Sequence, residues 1–169
     1  MHYTNTGAIV SKCGQFRYRL WRRWKDGSRV AVFIMLNPST ADGEKDDATI
    51  RKCVGFADRM GCNGIEIINL FAYRATKPSD RKAAGYLVGP DNYSHIRAVL
   101  NTYSDNVICA WGANARCPAG AAQVSSVMQM LSDGFFACYA LKKSPDGTPH
   151  HPLMLPYSSE LVTVYEPLC

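Results

Sequence analysis

The span from Val30 to Leu70 constrains this chain more than any other. Arg29-Val30-Ala31-Val32-Phe33-Ile34-Met35-Leu36 is an almost continuous apolar run, the pattern of a strand covered on both faces. It stops abruptly at Asn37-Pro38-Ser39-Thr40-Ala41-Asp42. Asp46-Asp47-Ala48-Thr49 then places acidic residues at the positive end of a helix. The apolar positions Ile50, Val54, Ala57 and Met60 recur at helical spacing until Gly61 or Gly64 stops them. Ile65-Glu66-Ile67-Ile68-Asn69-Leu70 follows as a second strand. Strand, loop, helix and strand in that order form a right-handed parallel crossover.

The rest of the chain extends this unit. Residues 106–111 and 135–141 read as a third and a fourth strand, and 161–164 as a short last one. Helices are expected over 92–100 and 123–131, with a short one near 81–84 inside the long connection 71–91. Phe16-Arg17-Tyr18-Arg19-Leu20-Trp21-Arg22 alternates large and charged residues, and Lys25-Asp26-Gly27 is a hairpin signal. The expected fold is therefore a single α/β domain over residues 1–169. It is a three-layer sandwich with a mostly parallel central sheet of four to five strands, plus an N-terminal antiparallel hairpin leading into the Val30 strand. In such sheets ligands bind beyond the C-terminal strand ends, where strand order reverses. That rule places Asn37, Asn69 and Asn114 on one rim.

Composition excludes several classes. Hydrophobic residues make up 47% and charged residues 20%, so the chain is neither disordered nor fibrous. No apolar stretch approaches eighteen residues and no basic-then-apolar leader opens the chain, so a cytoplasmic protein with no membrane partner is expected. The seven cysteines are odd in number and lack Cys-x-x-Cys spacing, as free thiols in a reducing compartment do. The net charge is +5, with Arg17, Arg19, Arg22, Arg23, Lys25 and Arg29 crowded against Asp26 alone. Such a cluster either draws a polyanion or shields a hairpin edge.

Four groups carry candidate chemistry. Asn37-Pro38-Ser39-Thr40-Ala41-Asp42 joins an amide, two hydroxyls and a carboxylate where an apolar strand ends. An amide binds a base edge or orients a water through its paired donor and acceptor; the plainer reading is a turn-capping loop. His150-His151 lies between prolines, and each ring can donate to a developing anion. Asn69-Leu70-Phe71-Ala72-Tyr73-Arg74-Ala75-Thr76-Lys77 offers an amide, rings to stack and a guanidinium for a phosphate or carboxylate. Trp111-Gly112-Ala113-Asn114 is a small-residue turn that lets a ligand approach the backbone. Helix capping explains Asp46 and Asp47 without magnesium, so neither metal nor cofactor is expected. Glycine-rich dinucleotide loops, phosphate loops and nucleophile elbows are absent from the sequence.

Leu36-Asn37-Pro38-Ser39-Thr40-Ala41-Asp42, the run 69–76, Trp111-Gly112 and Gly147-Thr148-Pro149-His150-His151-Pro152-Leu153 together resemble an uncharacterised bacterial and phage family, the domain of unknown function numbered 1643. The layout also resembles the uracil-DNA glycosylase superfamily, in particular its mismatch-specific branch. That likeness implies a glycosylase-like fold. Asn37-Pro38 falls on the motif whose asparagine positions the attacking water, and His151-Pro152 on the one whose histidine stabilises the departing base. Leu153-Met154-Leu155 matches the segment that fills the duplex, and Phe71 or Tyr73 the stacking ring. Two positions depart from the pattern, Met35 and Ser39, where that branch carries glycine.

The resemblance implies a hydrolase that cleaves the N-glycosidic bond of a flipped base in DNA. Asn37 and His151 would be catalytic. Pro38, Ser39, Asp42, Asn69, Phe71, Tyr73, Arg74, Gly112, Asn114 and His150 would bind substrate, while Arg17, Arg19, Arg22 and Arg23 would contact backbone phosphates. The alternatives are an enzyme acting on a free or modified nucleotide and a non-catalytic nucleic-acid binding module. The first hairpin serves equally as a dimer edge.

Overall fold

The computed structural model describes residues 1–75 and 78–167. Among them, seven strands make one sheet: β1 (Asn5–Val10), β2 (Arg17–Arg23), β3 (Val30–Met35), β4 (Gly64–Asn69), β5 (Val107–Cys109), β6 (Cys138–Ala140) and β7 (Val162–Tyr165). Their spatial order is β1-β2-β4-β3-β5-β6-β7. β4, β3, β5 and β6 are mutually parallel, whereas β1, β2 and β7 pair antiparallel at the two sides. The helices are α1 (Ala48–Arg59), α2 (Pro78–Ala83), α3 (Asn92–Thr102) and α4 (Pro118–Asp133).

Every residue of β3 and β4 is buried, because helices cover both faces. Alternate side chains point to opposite faces. Ala31, Phe33, Ile65 and Ile67 meet Ile50, Cys53, Val54 and Ala57 of α1. Val32, Ile34 and Ile68 meet Ile96, Val99 and Leu100 of α3 and Val127 and Leu131 of α4. Asp47 starts α1 as anticipated: its Oδ1 accepts the Ile50 N–H at 2.9 Å, satisfying one of the orphan donors of a first turn.

The sheet is mixed, with three parallel and three antiparallel pairings among the described strands; it is not mostly parallel, and it exceeds the four to five strands expected. The hairpin is also placed differently. β2 does not pair with β3; it lies between β1 and β4. The cause is electrostatic. Glu66 is fully buried in the middle of β4 and stands opposite Trp21. Arg19 donates to its carboxylate from Nε (2.6 Å) and Nη2 (2.7 Å), and Arg23 donates to it as well. A buried carboxylate needs such partners, and only the strand carrying those arginines supplies them. The true hairpin, β1 to β2, turns through Gly14 at φ 74°.

Cys13, Cys53, Cys62, Cys109, Cys117 and Cys138 are free thiols; Cys169 lies outside the described residues. Among the described residues, no helix is long and apolar enough to cross a membrane.

Candidate functional site

The chain leaves β3 for β4 on one side, and β5 for β6 on the other. Strand order therefore reverses between β3 and β5, the place where open α/β sheets bind ligands. A cavity of about 310 Å³ opens there, within the range of small-molecule sites. Arg17 of β2, Asn69 of β4, Asn37 and Ser39 after β3, Gly112 and Asn114 after β5, and His151 all line it. Asp47 and Thr49 at the start of α1 and the ring of Trp111 complete its wall. The sheet order thus brings residues of β2, of β4 and of the loops after β3 and β5 to one cavity.

Each group is held by local structure. Asn37 donates from Nδ2 to the carbonyls of Pro38 (2.9 Å) and Ala75 (2.8 Å), which fixes the amide's orientation and makes Oδ1 its other, accepting end. Asn69 is 1% exposed, and neither Nδ2 nor Oδ1 has a hydrogen-bond partner among the described residues. Its backbone is anchored instead, since Asn92 Nδ2 donates to the Asn69 and Leu70 carbonyls. His151 Nδ1 accepts the Leu153 N–H at 3.3 Å, which leaves the proton of the neutral ring on Nε2. Burial lowers the pKa of this ring, and Asp47 partly opposes it. Gly112 has φ 73°, and a Cβ there would stand 2.9 Å from that of His151. Only glycine allows the β5 loop and the histidine segment to lie so close.

The other expected site residues fall elsewhere. Pro38 is buried beneath the loop and its carbonyl accepts the Ala75 N–H. Asp42 accepts the Glu44 and Lys45 N–H groups and closes a turn, which is the plainer of its two readings. Phe71 is buried in the core on the α3 side, against Tyr86. His150 points away from the cavity and pairs with the Ser144 hydroxyl at 2.9 Å. Tyr73 and Arg74 line a neighbouring groove with Gly14, Gln15 and Thr40, which meets the cavity at Ser39. Thr76 and Lys77 lie outside the described residues.

The arginine cluster is engaged with groups of the protein itself. Arg17 and Arg22 are buried, and Arg19 and Arg23 bend over Glu66. Arg22 donates to Asp46 Oδ1 (2.8 Å) and to the carbonyls of Trp21, Asp42 and Lys45. Arg17 donates from Nη1 to the Ala41 carbonyl at 2.5 Å. Arg17 and Arg22 thus staple the loop after β3 to β2 and present no outward face, whereas Arg19 and Arg23 stay part-exposed over Glu66. Composition could not separate the two, because a basic run looks alike whether its partners are solvent or distant carboxylates. Glu66 inside an apolar strand was the readable sign. Asp47, expected only as a helix cap, and Trp111, expected only as part of a turn, also line the cavity, and both follow from position, one as helix cap and one at the end of a strand.

These features define an α/β protein with a polar cavity at the switch point of a mixed sheet. Over residues 17–153 the chain matches the family described as "Protein of unknown function (DUF1643)", and it belongs to that family. No curated protein and no solved structure matches it. Neither comparison supports the glycosylase likeness.

Proposed function

We propose that the chain binds a nucleobase in this cavity and hydrolyses its N-glycosidic bond. Asn69 carries the reading. A buried amide with donor and acceptor both unmet costs stability unless a ligand answers it, and the adjoining N–H and C=O of a nucleobase edge are its complement. Asn37 Oδ1 would accept a hydrogen from the water that attacks the anomeric carbon. The C–N bond breaks with its electron pair going to the base, His151 Nε2–H hydrogen-bonds the base oxygen that gains charge, and the water's proton ends on the base. Leu153 and Met154 follow His151 and are 39% and 89% exposed, which favours a flipped base over a free one, since apolar side chains beside the pocket can occupy the gap left in the stack. Leu155 is buried and takes no such part.

Base release, read by mass spectrometry, tests this. Oligonucleotides carrying uracil, mismatched thymine or modified bases are incubated with the protein and with N37A and H151A. Release that falls roughly hundredfold or more in each variant is the expected outcome, the scale of a positioned catalytic group. Release unaffected by either substitution, or none from any oligonucleotide, overturns the proposal.

A further inference from the structure

We infer that the β2 end of the cavity is an oxyanion subsite in which Arg17 is the binding group. The inference rests on the base-binding reading and narrows its ligand to a heterocycle or nucleotide carrying an ionised carboxylate or phosphate. Two neighbouring buried arginines on one strand show why. Arg22 is fully buried and paired with Asp46 and three carbonyls. Arg17 is 3% exposed, yet among the described residues its side chain makes one hydrogen bond, from Nη1 to Ala41, and its Nε has no partner. No carboxylate of the described residues lies within 4.0 Å of it. Asp47 acts on it from farther away and is engaged as the cap of α1. Burial brings the Arg17 pKa down to about 10, so the group stays charged at neutral pH. A buried, charged donor without an acceptor is costly. Nε and Nη2 form the side of the guanidinium that takes two oxygens at once.

The backbone directs this arginine into the site. Ile9 pairs with Arg19 but Val10 pairs with Arg17, so Tyr18 is an extra residue in β2. This bulge breaks the alternation. Tyr18 stacks on His95 of α3 at 4.9 Å between ring centroids, while Arg17 lines the cavity with Ile50 and Ile67 on the α1 side. Without the bulge Arg17 would share the face of Arg19 and Arg23. Bulges commonly re-aim a side chain beside a functional site. Arg17 and Asn69 line the same cavity, so one ligand bound there can meet the amide and the guanidinium together.

Isothermal titration of the whole chain uses four probes: uracil, orotate (a ring carboxylate), uridine monophosphate (a sugar phosphate) and inorganic phosphate. Orotate or uridine monophosphate is expected to bind at least tenfold more tightly than uracil, with that advantage lost in R17Q and partly restored in R17K. Preference for orotate puts the oxyanion on the ring, and preference for the nucleotide puts it on the sugar. Equal affinity for uracil and the charged probes, or no binding of any charged probe, overturns the inference on the wild-type protein alone, whether or not R17Q folds. The base-binding reading fails separately. Inorganic phosphate binding as tightly as either charged heterocycle, and losing that binding in R17Q, would keep the oxyanion site and remove the nucleobase.

Discussion

Replacing Asn69 with leucine removes two polar atoms that are buried without partners and keeps a side chain of similar length. Each unsatisfied buried group costs roughly 1–3 kcal/mol. The two atoms share one amide, so we take about 2 kcal/mol as their joint cost. Leucine adds apolar contact beside Ile67 and Ile50. Its extra volume has room in the adjoining cavity of about 310 Å³, which limits the overpacking penalty of about 1–3 kcal/mol. The anchoring bonds from Asn92 run to backbone carbonyls and survive. The N69L protein is expected to be more stable by about 1–2 kcal/mol, a rise of about 3–6 °C in Tm for a chain of this size. It should also lose ligand binding and base release. Urea unfolding followed by circular dichroism measures the first, with the slope unchanged between the two proteins. Destabilisation by N69L would refute the reasoning, because it would make the amide a structural group whose removal harms the fold.

Two further outcomes test how the site is held. Arg22→Met removes the charge partner of Asp46, leaving it the Tyr3 hydroxyl, and deprives the Asp42 and Lys45 carbonyls of a donor, so urea unfolding should show a loss of about 3–5 kcal/mol, partly recovered by adding D46N; a loss under about 1 kcal/mol, the size of an exposed pair, counts against it. His151 is held by burial below its ordinary pKa, so the unfolded chain binds its proton more readily than the folded one. Its contribution to stability is complete above the unfolded value of about 6.5 and is lost as pH falls below it. The stability difference between wild type and H151Q, measured in urea at pH 8, 6.5 and 5, should therefore shift against the wild type on acidification, and a shift the other way would refute the assignment.

What the sequence revealed follows from how local each determinant is. β3, β4 and α1 were readable because burial on two faces leaves an unbroken apolar run and because Asp47 caps a helix three residues from its own acceptor bond. β1 is not legible in the sequence: Asn5-Thr6-Gly7-Ala8-Ile9-Val10 is an edge strand with no buried residue, so burial imposes no pattern on it. The β2–β4 pairing depends on Glu66 meeting arginines more than forty residues away, a contact that no window along the chain contains. The strand-end rule places Asn37, Asn69 and Asn114 on one rim because it needs only the strands; Gly112 and His151, read from their own motifs, line the same cavity. The residue types do not separate Arg17 from Arg19 and Arg23, because a bulge shifts a period-two pattern by one residue and leaves no mark in them.

The charged strand β2 is part of the site. Arg17 and Arg22 reach from β2 to the carbonyls of Ala41, Asp42 and Lys45, so the loop that carries Asn37 and Ser39 is clamped at its far end by another strand. The family match begins at Arg17 and ends at Leu153. It takes in every residue that lines the cavity and leaves β1 and β7 outside. The unit that makes the site is therefore β2 through the segment after His151, with Glu66 locating β2 beside β4, the bulge turning Arg17 inward, and Arg22 fixing the loop. Loss of the Glu66 pairings would release all three, although Glu66, Arg19 and Arg23 do not line the cavity. This is why charges that look suited to a surface are kept inside.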